Sequence, residues 1–118
     1  MSKGTLPAVS AEATSSNGAP STHVKIGTPH VELNVWMSYA EVVLLKSVSV
    51  AHWLRESVQI GEVAGAPAWW SVDVDAGTLS ILVGLDDETW DVGVTLPLGT
   101  LHVILTEVAR ARMSDDGR

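Results

Sequence analysis

The chain predicts an α+β fold, a two-layer sandwich in the order β-α-β-β-β-α. An antiparallel three-stranded meander plus an N-terminal strand form the sheet, and the helices pack on one of its faces. Three observations lead there. Segments around Trp70, Leu79 and Trp90 alternate apolar with polar residues and are separated by turn signals. Two stretches, opening at Ser38 and near Thr100, place apolar residues at helical spacing. A length of 118 residues suits one domain with one core and is short for two.

Residues 1–21 are rich in Ser, Ala, Thr, Gly and Pro without an apolar period, which predicts a flexible N-terminal arm. The domain then spans 22–113, and 114–118 form a charged C-terminal tail. Val24 and Ile26, then Val31, Leu33 and Val35, alternate with polar residues and predict a strand broken or bulged at Gly27 to Pro29. Ser38 stands three residues before Glu41 ahead of an apolar run, the capping-box pattern. A helix is expected from Tyr39 to about Ile60, or two shorter helices divided at Lys46 to Val50, where propensity is weak. That helix has two apolar stripes; Val42, Leu45 and Trp53 lie on the second, which needs its own cover.

Glu62 to Ala68 are expected to form a loop. Trp70, Val72 and Val74, then Leu79, Ile81, Val83 and Leu85, then Trp90, Val92, Val94 and Leu96, are assigned to the core face of the meander. Asp75 to Thr78 and Asp86 to Thr89 form its turns. Pro97 ends the last strand, and Thr100 caps a final helix with the stripe Leu101, Ile104, Leu105 and Val108.

A net charge of −7 argues against a nucleic-acid surface, which needs clustered Lys and Arg. No cysteine is present, so disulfides, thiol nucleophiles and thiolate metal sites are excluded. No run has the length of a transmembrane helix, and the N-terminus lacks the apolar core of a signal peptide. The expectation is a cytoplasmic protein, and sparing Lys beside abundant Ala, Val and Gly points to a bacterial or phage source.

No constellation nominates an enzyme. Asp73-x-Asp75-x-Gly77 copies the opening of a calcium loop, but the sixth and twelfth positions, Thr78 and Gly84, are not the Gly and Glu that loop requires. His30-x-Glu32 supplies two ligands at most, and no nucleophile elbow or phosphate-binding glycine loop occurs. No cofactor and no metal are expected. The helix, meander, helix order from Ser38 to Arg112 resembles the double-stranded-RNA-binding domain. That family opens its final helix with a basic cluster, whereas Pro97 to His102 contain no Lys or Arg, so the resemblance implies an architecture and not the activity. A winged helix-turn-helix over 38–85 would present only Lys46 and Arg55 to phosphate. The order is also similar to that of small acidic secretion chaperones, which pair as dimers and bind partner segments.

The face opposite the core set of the meander holds Trp69, Leu82, Asp73 and Asp91 among small polar residues. Trp69 and Leu82 are its large apolar groups and the expected contact anchors. The function expected is a non-catalytic protein-interaction or regulatory module, self-associating as a homodimer through this face or through the helix stripe of Val42, Leu45 and Trp53. The alternative is a ligand-binding protein or enzyme whose pocket between helices and sheet is lined by Trp53, Trp70, Trp90 and a histidine.

Overall fold

The computed structural model describes residues 6–16, 18–48, 57–86 and 88–116. They form one sheet of seven antiparallel strands, each paired with its neighbour in sequence: β1 (Ala8–Ser16), β2 (Ala19–Gly27), β3 (Glu32–Ser38), β4 (Val58–Val63), β5 (Ala66–Asp73), β6 (Thr78–Gly84) and β7 (Trp90–Pro97). Helix α1 (Tyr39–Leu44), continued by a 3₁₀ turn at Leu45–Ser47, follows β3, and α2 (Gly99–Asp116) follows β7. The three-stranded meander with order β-α-β-β-β-α is therefore overturned. The part that stands is the hairpin series of β5, β6 and β7 at one end of a larger sheet.

Three segments account for the difference. The residues read as an arm supply β1 and the start of β2: Val9, Ala11 and Ala13 alternate with Ser10, Glu12 and Thr14, and the small alanines act as the apolar half of the period. The break at Gly27 to Pro29 proves to be a hairpin connection between two strands, closed by Thr28, whose Oγ1 accepts the amides of His30 (3.3 Å) and Val31 (3.0 Å). Finally, Val58 to Ile60 do not end a helix. They begin β4, which turns at Ala64-Gly65 into β5, so most of the predicted 62–68 loop is strand. The β-branched Val58 and Ile60 suit this conformation better than a helix. Residues 49–56, on which the middle of the predicted helix falls, lie outside the described residues.

The capping box is present as read: Ser38 Oγ accepts the Glu41 amide (3.1 Å) and Glu41 Oε1 accepts the Ser38 amide (2.9 Å). Thr100 is not a cap. It lies one residue inside α2 and is buried, because the helix begins at Gly99, and the helix also runs through 114–116 of the predicted tail.

Both helices cover the same face of the sheet. α1 lies against β2, β3 and β4, and α2 against β1 and β2, reaching β6. Arg112 of α2 sits 4.7 Å above the ring of Tyr39 at the start of α1, tying the two together. The core between the layers holds Val24, Ile26, Val35, Met37, Ile60, Trp70, Leu79, Ile81 and Ile104, all almost fully buried. Each such side chain contributes about 1.5–3 kcal/mol before entropy is subtracted. Val42 and Leu45 belong to this core, so the stripe expected to face a second subunit faces the sheet instead. β7 is the last strand of the sheet; of its inner-face residues Leu96 is buried, Val94 is partly buried and Val92 is exposed.

Candidate functional site

Large aromatic groups collect on the face of the sheet that the helices do not cover. Of the four described tryptophans, only Trp70 is buried, its Nε1 donating to the carbonyl of Ile60 at 2.9 Å. Trp36, Trp69 and Trp90 stand on the outer face, and Trp36 and Trp90 are 43% and 46% exposed.

Two β-bulges arrange this surface. In β4 the register with β5 slips between Gln59, opposite Trp69, and Glu62, opposite Pro67. The extra residue keeps Gln59 and Glu62, three apart, both on the outer face. Gly61 sits in the bulge with φ +77°, and a Cβ there would come within 2.8 Å of the Trp36 carbonyl oxygen and of Val35 Cγ1. Backbone groups around the bulge find side-chain partners: Gly61 N–H donates to Glu41 Oε2 (2.8 Å), and Ile60 C=O takes the Trp70 indole. Glu41 thus joins the start of α1 to the bulge that sets Glu62 opposite Trp36.

The second bulge lies between β6 and β7. Val83 pairs with Val92 but Gly84 pairs with Trp90, leaving Asp91 as the extra residue. Alternation assigned Trp90 to the core with Val92; the bulge moves it to the other face. Its ring lies over Gly93 beside Leu82, where a Cβ on Gly93 would approach Trp90 Cζ3 to 3.0 Å and Leu82 Cδ2 to 3.1 Å. Leu82 is the cross-strand partner of both Gly93 and Trp69. Trp69 is half-buried, with its Nε1 donating to the Gly84 carbonyl at 3.2 Å. Trp69, Leu82 and Trp90 therefore make one apolar strip across three strands. Val74 and Leu85, also assigned to the core face, fall in the turns and are exposed.

The remaining expected contact residues are scattered. Asp73 is exposed at the end of β5 and spends Oδ1 on the Ala76 amide (3.0 Å) in the next turn. Asp91 is exposed in the β7 bulge. Val42 and Leu45 are interior, and Trp53 lies outside the described residues. The described residues of the alternative pocket do not meet: Trp70 is enclosed by core, Trp90 is on the opposite face, and His30 and His102 are exposed. Among the described residues no three His, Asp or Glu side chains converge. The acidic Asp86 of the β6–β7 turn accepts the amides of Glu88 (2.8 Å) and Thr89 (2.7 Å), and these bonds to its charged form hold its pKa below the ordinary value.

The second group on this face surrounds Trp36, which the sequence reading passed over. Its indole stacks on His23, with centroids 4.0 Å apart and planes 8° from parallel. His23 Nε2 lies 2.8 Å from Asn34 Oδ1, and Asn34 Nδ2 donates to Glu32 Oε2 at 3.2 Å. Beside Trp36 and its cross-strand partner Glu62 lie two shallow depressions, of about 210 and 360 Å³. The signal was available: Leu33, Val35 and Met37 face the core, so Trp36 must face away.

The chain matches no protein-family model, no curated protein and no solved structure with which it was compared. Among the described residues no helix is long and apolar enough to cross a membrane.

Proposed function

We propose that this chain is a non-catalytic protein-interaction module of the cytoplasm that associates with a second copy of itself through β7 and the Trp69, Leu82 and Trp90 strip beside it. The observation that carries this is the state of β7. It is an edge strand with apolar side chains exposed to either side of the sheet, Trp90 on the outer face and Val92, 47% exposed, on the inner. Edge strands are ordinarily blunted by charges, proline, bulges or a covering element. Here Asp91 in the bulge and Pro97 at the end bracket a stretch from Val92 to Leu96 whose outer edge no other described strand pairs with. The other edge, β1, has α2 packed against it. A second β7 running antiparallel would extend the sheet and cover Val92, and the strip beside it supplies tryptophans of the kind that anchor interfaces.

Sedimentation or light scattering across a concentration series tests this. A dimer is expected, and Val92→Lys, which puts a charge on an exposed edge position, should yield a folded monomer. A wild-type chain that stays monomeric at its highest soluble concentration would overturn the proposal.

A further inference from the structure

We infer that the outer face carries a second, separate site, a cradle for the guanidinium group of an arginine side chain on a partner protein, built from Trp36, Glu62 and Ser21. Its aromatic wall is fixed before any ligand arrives. His23 covers one side of the indole at 4.0 Å, and Asn34 and Glu32 hold His23 through successive hydrogen bonds of 2.8 and 3.2 Å. An exposed ring held in one orientation loses little freedom on binding.

Trp36 and Glu62 together line both depressions, and among the described residues no basic side chain lines either. The Glu62 carboxylate makes no ion pair or hydrogen bond among the described residues. In the smaller depression Glu41 adds a second negative charge, its two oxygens occupied by the amides of Ser38 and Gly61. Lys25, on the same face, stands opposite Asn34 on β2, away from Glu62 on β4. The smaller depression is also lined by Ser21, only 5% exposed, whose Oγ has no hydrogen-bond partner among the described residues. Leaving a buried hydroxyl unpaired is unfavourable, and a donor entering the depression would relieve it.

These features select the ligand. A carboxylate without a partner among the described residues calls for a cation, the open part of the indole for a flat one, and the unpaired Ser21 hydroxyl in the same depression for one with N–H donors to spare. Guanidinium meets all three conditions, whereas an ammonium group is compact and offers no plane to stack. The inference rests on the outer face being the working surface, as proposed above, but not on pairing through β7.

The test follows the Trp36 indole N–H resonance in wild-type and Val92→Lys full-length chains during titration with N-acetylarginine amide, N-acetyllysine amide and a tetrapeptide holding one arginine among neutral residues. Saturable shifts are expected in both chains, tighter for arginine than for lysine, with the tetrapeptide at least as tight as the amide. Glu62→Gln should weaken the arginine probe roughly fivefold, as for a partly exposed ion pair. Ser21→Ala should weaken it without lowering thermal stability, since the hydroxyl has no partner among the described residues to lose. Trp69→Ala should leave it unchanged. Absence of a saturable shift, equal affinity in Glu62→Gln, or lysine binding as tightly as arginine would overturn the guanidinium cradle; a tetrapeptide weaker than the amide would overturn the protein partner. Oligomeric state is read separately, so failure of the β7 dimer leaves this result standing.

Discussion

Gly61 is a position where a single added atom matters twice, through backbone conformation and through contact. Its φ of +77° is unfavourable for any other residue, and an added Cβ would meet the Trp36 carbonyl oxygen and Val35 Cγ1 at 2.8 Å. Gly65 has a similar φ of +85° but nothing within 4 Å of that direction. Gly65→Ala should therefore cost about 1 kcal/mol of backbone strain, whereas Gly61→Ala should cost roughly 3 kcal/mol because overpacking is added. Denaturant unfolding of the two variants side by side measures the contact separately from the strain. Glu41 is the polar counterpart: it accepts the amides of Ser38 and Gly61, so Glu41→Ala should lose about 1–3 kcal/mol by unpairing both.

Among the elements, β1 gives the sharpest contrast between an arm and a structural strand. It pairs with β2 along its full length and packs against α2, with Val9 and Ala11 against the core. Removing residues 1–16 should lower the unfolding midpoint markedly and expose the edge of β2, whereas loss of a true arm would leave the midpoint unchanged; thermal unfolding of the truncated chain decides. The β6–β7 connection responds to pH. The Asp86 carboxylate has a depressed pKa because it accepts the amides of Glu88 and Thr89, so its contribution is present above the unfolded-state value and is lost as pH falls through the lower folded-state value. Amide resonances of Glu88 and Thr89 should move together in acid, below the usual carboxylate range, and this movement should vanish in Asp86→Asn.

For the molecule as a whole, charge and surface oppose each other. Each copy carries −7, so pairing two copies through β7 works against long-range repulsion, which salt screens. Dimer dissociation constants should therefore fall as salt is raised from low ionic strength, while arginine binding at Trp36, an attraction of opposite charges, should weaken over the same range. Opposite salt slopes for the two events on one protein would separate the two ends of the face, and sedimentation with parallel titrations can read both.

Side-chain alternation, capping and turn chemistry are local properties of the backbone, and they were legible. They placed Trp70, Leu79 and Ile81 inside, Trp69 and Leu82 outside, and the start of α1 at Tyr39 after Ser38. Signals for the missed strands were also in the chain: Asn17-Gly18 is a favoured hairpin dipeptide, flanked by a period-two pattern whose apolar members include small alanines. Trp36 was equally determined, by the alternation that buries Val35 and Met37. Tertiary structure alone decided the register slips that put Glu62 beside Trp36 and carried Trp90 from the core face to the outer one. It also decided that Val42 and Leu45 are covered by the sheet and that β7 is left as an open edge. The reason is that a strand's two faces follow from its own dihedrals, whereas a bulge and a neighbour's cover depend on pairing energies between segments distant in the chain.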